Sequence, residues 1–204
     1  MHEGVFQHPS RSSQRALEYL RELTEAQDQL RVSAPILSAP KQVWQPPLGN
    51  CFKLNFDGAC FDDGAASGYG AVIRNEKGEV MAALAAKGGA VWDSEEVEVF
   101  ACRKALEFAI DAGFMEIILE GDSKLVMQTV SQAQPNLYRL GLIYEDIWCL
   151  AVSFRSISIN CVRRTANGVA PALARFARLI DDNIVWLEED PHLWWMLCIW
   201  MLML

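Results

Sequence analysis

Phe52-Lys53-Leu54-Asn55-Phe56-Asp57-Gly58-Ala59 is the stretch from which the rest of the chain can be placed. Apolar and polar residues alternate from Phe52 to Asp57, the two-residue period of a strand with one face in a core. A carboxylate closes that strand, directly before Gly58. Two readings of Asp57 stand side by side: a strand-end Asp that starts an Asx turn, or a group held for chemistry. Downstream, residues 58–68 are rich in Gly and Asp and predict a loop. Residues 69–74 predict a second strand, Asn75-Glu76-Lys77-Gly78 a turn, and residues 79–86 a third strand. Connections this short favour an antiparallel meander.

Beyond the meander, Asp93 and Ser94 offer helix caps, with Glu95 and Glu96 in the first turn where the helix dipole favours acid. The predicted helix runs to Ala112 and stops at Gly113. Positions 98, 101, 102, 105, 109 and 112 share one of its faces and read Glu, Ala, Cys, Ala, Ala, Ala. That is a stripe of small residues suited to close approach to a sheet, with a carboxylate at its N-terminal end. A buried carboxylate needs a partner or a metal; the other reading of Glu98 is a first-turn acid satisfied by the dipole. Residues 115–120 form a continuously apolar strand of the kind buried on both faces. Asp122 follows and opens a helix over 122–132, so a plain N-cap competes with any catalytic role, and Glu120 is a second acid close by. Residues 136–152 predict one or two helices and 154–162 a fifth strand. Asn167 is read as the cap of a last helix reaching about residue 181. If the first strand is central and the fourth lies parallel to it, Asp57 and Asp122 sit side by side beyond the strand ends, where open α/β sheets bind ligands. The helix from Asp93 then brings Glu98 over the same edge. Three such carboxylates raise one another's pKa, a cost that a divalent cation removes.

Composition bounds the rest. A chain of 204 residues, 51% of them hydrophobic, supports one domain with extensions. Its net charge of −8 is not that of a protein coated for nucleic acid, yet residues 154–180 carry five Arg and no acid, a local basic face on an acidic protein. The six cysteines are scattered without a Cys-x-x-Cys pair, which argues against zinc, and most of them lie in apolar periodic segments where a reduced cysteine is expected to serve as a small core residue. The sequence opens without a basic-then-apolar leader, so an intracellular protein of cytoplasm or nucleus is expected rather than a secreted one. Residues 1–14 are expected to be disordered and 15–31 helical, with Ala16, Leu17, Leu20, Leu23 and Leu30 on one face. Residues 32–50, with four prolines, are read as an extended linker. The compact domain is placed at 51–181 and an apolar extension at 182–204. Its apolar run, 193–204, is shorter than the ~20 residues of a spanning helix, so no membrane association is expected.

Five ordered motifs resemble the ribonuclease H-like (type 1 ribonuclease H) domains of plant non-LTR retroelements. They are Lys53-Leu54-Asn55-Phe56-Asp57-Gly58-Ala59; Gly68-Tyr69-Gly70-Ala71-Val72-Ile73-Arg74; Glu98 ahead of Arg103-Lys104-Ala105-Leu106-Glu107-Phe108-Ala109; Glu120-Gly121-Asp122-Ser123; and Val162-Arg163-Arg164-Thr165-Ala166-Asn167. Trp44-Gln45-Pro46-Pro47 resembles the usual lead-in to such domains. The resemblance implies an α/β fold with a five-stranded mixed sheet, order 3-2-1-4-5, flanked by helices on both faces. It implies Asp57, Glu98 and Asp122 as metal ligands and catalytic residues. The ion would be Mg²⁺, with Mn²⁺ as the alternative, and the partner an RNA–DNA hybrid or other nucleic acid. The implied chemistry is hydrolysis of the RNA strand with two ions about 4 Å apart. Gly58, Ala59 and Glu98 are then the candidates to sense the 2′-OH that only RNA offers. Asn55, Arg163, Arg164 and Asn167 complete the implied substrate-binding set. One position departs from the pattern. Where the family carries a fourth carboxylate, in Asn-x-x-Ala-Asp, this chain reads Asn167-Gly168-Val169-Ala170-Pro171. There is also no His in the loop before the last helix. A hybrid-cleaving endonuclease and a catalytically impaired remnant that only binds nucleic acid or a partner are the two readings carried forward.

Overall fold

A computed structural model describes residues 43–133 and 139–187. The expected disordered N-terminus, the helix at 15–31, the linker up to residue 42 and the apolar run at 193–204 lie outside the described residues. In β1 (Phe52–Phe61) Leu54 and Phe56 are fully buried on one face of the sheet. Lys53, Asn55 and Asp57, the alternate positions, lie on the other. β1 pairs antiparallel with β2 (Ala66–Arg74), and β2 with β3 (Val80–Gly88), which is the expected meander. β4 (Glu116–Gly121) runs parallel to β1, and β5 (Ser156–Cys161) parallel to β4. The 3-2-1-4-5 order is therefore present, with a sixth strand added outside β3: β6 (Ile184–Leu187) pairs antiparallel with it. Four consecutive apolar residues carry no period that separates them from an apolar extension. Trp186 fixes β6 in place, buried in one cluster with Val72, Ala83, Ala85 and Leu173.

Helices α1 (Ser94–Asp111), α2 (Lys124–Gln132) and α3 (Gly141–Ala151) build the larger core on the Leu54 and Phe56 face. Asp93 caps α1 as expected, its side chain accepting from the Glu96 N–H at 2.8 Å. α4 (Val169–Phe176) covers the opposite face across β1 and β2. Asn167 does not cap it. Gly168 holds the N-cap position, and the Asn167 Nδ2 donates instead to the Phe56 carbonyl at 2.8 Å.

The predicted loop at 58–68 is mostly strand. β1 and β2 stay paired through Phe61 and Ala66, leaving one tight turn at Asp62–Gly64, where Asp62, Asp63 and Gly64 all have positive φ. Gly68 and Gly70 are not turn residues. A Cβ at Gly70 would collide with the Ala170 carbonyl and the Ala174 amide, and one at Gly68 with the Ala174 carbonyl. Glycine here lets α4 lie with its backbone directly on β2. Packing also begins ahead of residue 51: Pro47 is buried, and Trp44 lies against Arg74. Of the five described cysteines, all free thiols, only Cys102 is buried; Cys60, Cys149 and Cys161 are exposed, contrary to the expected core role. No helix among the described residues is long and apolar enough to cross a membrane.

Candidate metal centre

The parallel pairing of β1 with β4 sets the site. Asn55 is opposite Glu120, the last pair of that ladder, and Asp57 and Asp122 each follow two residues later. β4 ends at Gly121, but β1 runs on to Phe61, so Asp57 lies within its strand and does not close it as the sequence suggested. Asp57 is buried on the α4 side of the sheet. Asp122 is not a helix cap, because Ser123 holds that position at the start of α2. Glu98 arrives from the first turns of α1. A Cβ at Gly58 would lie 2.7 Å from the Val97 carbonyl, so glycine is what lets that part of α1 lie against β1. The Gly58 N–H donates to the Glu98 carboxylate. One oxygen from each of Asp57, Glu98 and Asp122 lies within 4.8 Å of the others. Strand period and helix periodicity thus bring together the three acids the sequence singled out.

The site is electrostatically unsatisfied. Asp57 Oδ1 and Glu98 Oε2 are buried and have no hydrogen-bond partner. Carboxylate oxygens only accept, and a buried acceptor without a donor costs about 1–3 kcal/mol or more. Burial, and then the charge of Asp122, push the Asp57 carboxyl up to about 7; Arg164 and Arg175 pull the other way. Burial, then the charges of Asp57 and Asp122, push Glu98 up to about 9, against Arg164 and the Gly58 N–H. A cation between these groups would satisfy both orphaned oxygens and remove the mutual repulsion. The donor set is all oxygen, which suits a hard divalent ion. The residues present therefore fit such an ion, with Asp57, Glu98 and Asp122 as those able to hold it.

The other expected site residues divide. Arg164 is near, its Nε 3.4 Å from Asp122 Oδ2, with the side chain 85% exposed. Arg163 is exposed on the same loop, and Gly58 and Ala59 are half-buried on β1 beyond Asp57. Asn55 and Asn167 are buried beneath the site, and Asn167 Oδ1 has no hydrogen-bond partner. Asn167 is 1% exposed and spends its amide on Phe56. Asn55 is fully buried, its Oδ1 accepting from Trp44 and Arg74 and its Nδ2 donating to Glu120. Glu120, the second acid near Asp122, is satisfied by Lys53 at 2.6 Å and by Asn55 at 3.0 Å. Pro171 is buried in the first turn of α4. Arg175, one turn further along α4, is a contributor the sequence reading missed; its spacing of four from Pro171 was the available signal.

The family model described as reverse transcriptase-like matches residues 55–177. The chain belongs to that family, as a ribonuclease H-like domain. RNase H1 from the halophilic archaeon Halobacterium salinarum NRC-1 is 30% identical, aligning over 62% of this chain and 96% of its own, with a TM-score of 0.58. The N-terminal RNase H domain of a Mycobacterium tuberculosis protein is 27% identical, over 63% of this chain and 94% of its own, at 0.57. LC11-RNase H1, solved in complex with an RNA/DNA hybrid, is 21% identical over 61% and 94%, at 0.55, and shares the ribonuclease H fold. No curated protein sequence matches this chain.

Proposed function

We propose that this chain is a divalent-metal-dependent endonuclease that hydrolyses the RNA strand of RNA–DNA hybrids, with Mg²⁺ as its ion. One observation carries the reading: Asp57, Glu98 and Asp122 converge from the middle of β1, the first turns of α1 and the end of β4, with two of their oxygens buried and partnerless. The fold and family are those of nucleic-acid-hydrolysing ribonucleases H, and a neighbour of the same fold binds an RNA/DNA hybrid. When bound, the ion supplies positive charge that acidifies water and offsets the charge growing on the phosphate. The chain's own residues do the rest. Asp57, Glu98 and Asp122 hold that charge at the end of the sheet. Gly58 keeps α1 close enough for Glu98 to reach. Arg163 and Arg164 present cations toward the phosphate backbone, which is where sequence-independent affinity comes from. The Gly58–Ala59 backbone and Glu98 meet the 2′-OH and so choose the RNA strand.

The reading in which the chain only binds nucleic acid or a partner rests on Pro171, which offers no ligand where the family pattern has a fourth acid. A labelled RNA–DNA hybrid incubated with the purified chain decides between the two. Internal cuts in the RNA strand that require Mg²⁺ or Mn²⁺ support hydrolysis. Binding of the hybrid without cuts, at any concentration of either ion, supports the binding-only reading.

A further inference from the structure

Trp44, in the segment ahead of β1, makes specific polar contacts with the sheet. The Trp44 indole Nε1 donates to Asn55 Oδ1 at 3.0 Å, and its ring lies over the Arg74 guanidinium, 3.7 Å from ring centroid to Cζ. The Lys53 ammonium stands 5.6 Å from the same ring. These contacts cap a buried polar network that crosses three strands. Arg74 of β2 donates to Asn55 of β1 at 2.8 Å, Asn55 donates to Glu120 of β4 at 3.0 Å, and Lys53 pairs with Glu120 at 2.6 Å. Asn55 is fully buried and Glu120 is 2% exposed. Two cations and one anion are thus gathered on one sheet face, and the negative face of an indole ring is the compensating element.

The placement of this network gives it a consequence. Lys53, Asn55 and Asp57 share one face of β1, and the Asn55–Glu120 pair, the last of the β1–β4 ladder, lies one repeat before Asp57 and Asp122. A parallel pair can slip in register, and a slip moves side chains to the wrong face. The Asn55–Glu120 and Lys53–Glu120 bonds oppose that slip, and they are joined through Asn55 Oδ1 to the Arg74 guanidinium. Trp44 covers both. We propose that Trp44 is a positioning residue for the metal centre: docked on Arg74 and Asn55, it holds β1 and β4 in the register that brings Asp57 and Asp122 together. The segment around Trp44 is then part of the working domain and not a spacer before it. This rests on the reading of Asp57, Glu98 and Asp122 as ion ligands.

The test measures Mn²⁺ affinity by electron paramagnetic resonance on the full chain, beside thermal stability, for Trp44→Ala, Trp44→Phe and Trp186→Ala. Trp186 is a buried ring on β6, outside the network, so its loss costs stability without touching β1–β4. Trp44→Ala is expected to weaken Mn²⁺ binding by about tenfold, the lower end of what loss of a group supporting a metal ligand costs. Trp44→Phe keeps a ring over Arg74 and drops the donor to Asn55, and is expected to lose less. Trp186→Ala is expected to lower the melting temperature and leave Mn²⁺ affinity unchanged. Wild-type affinity in a folded Trp44→Ala overturns the proposal, as does an equal loss of affinity in Trp186→Ala. If Trp44→Ala does not fold, Trp44→Phe decides: weaker binding supports the proposal, wild-type binding overturns it. A wild-type chain that binds no Mn²⁺ overturns the ion site itself, and the proposal with it.

Discussion

Glu98 and Asp57 hold protons more tightly in the ion-free fold than in the unfolded chain, because burial and neighbouring carboxylates raise both. A carboxyl with a raised folded pKa stabilises the fold below its unfolded value, and that contribution is lost as pH rises through the folded one. Without divalent ion, thermal stability should therefore fall as pH climbs from about 4 through about 7 to about 9. Glu98→Gln, which cannot ionise, should flatten that fall. Melting curves in a chelator across this range check it, and an unchanged slope in Glu98→Gln would show that the burial of this group has been misread. Mg²⁺ should restore stability most at the alkaline end, where the ligands need lose no proton to bind it. At the same site, Asp57→Asn keeps shape and removes charge. It should cut Mg²⁺-dependent hydrolysis by about a hundredfold or more while leaving the fold intact. Full cleavage by the Asn variant would place the chemistry elsewhere.

α4 ties the site to the sheet. Gly70 leaves room only for a hydrogen against the Ala170 and Ala174 backbone, so Gly70→Ala must push α4 off β2. The expected cost is about 1–3 kcal/mol, read as a lower denaturant midpoint, the usual range for overpacking. An unchanged midpoint would mean that α4 yields without loss. Pro171→Asp tests the same helix from its other side. Its first turn has free N–H groups that favour a carboxylate, and Asp there would supply an oxygen donor at the position where the family pattern carries its fourth acid. Hydrolysis across a Mg²⁺ titration should rise, with a small loss of stability from the freed backbone. No gain at any concentration would show that the missing acid is not what limits this protein. The elements legible in the sequence are those with a pattern: β1 by alternation, α1 by its small-residue face, and β4 as a buried run. They carry or lead into Asp57, Glu98 and Asp122, although β1 runs four residues further than its alternation indicates. Gly68 reads as a loop residue, and the packing that requires glycine at Gly68 and Gly70 is illegible locally, because the helix that rests on them lies a hundred or so positions away. The bond from Asn55 to Glu120 is equally illegible in the sequence, its partner lying 65 residues on. β6 carried no period at all.

Over the whole molecule, a net charge of −8 surrounds a site flanked by Arg163, Arg164 and Arg175. Many of the other basic groups are engaged: Arg155 with Glu116, Arg178 with Asp62, and Arg139 with Asp93 and Glu96. Hybrid binding should therefore depend only modestly on salt. Three phosphate contacts correspond to a slope of about −2 to −3 in log affinity against log salt. Anisotropy titrations in a chelator measure it, and a slope steeper than about −6 would reveal a basic surface far larger than this. The parallel pairing of β1 with β4 also sets a schedule. A ribosome adds about 5–20 residues per second, so Glu120 follows Asn55, 65 residues earlier, by about 3–13 seconds. During that interval β1 has only β2 beside it, with β3 beyond β2, and its other edge, from Phe52 to Asn55, faces water with its hydrogen-bonding groups unpaired. The strand that ends up at the centre of the sheet is thus, for its first seconds, the edge most open to a wrong partner.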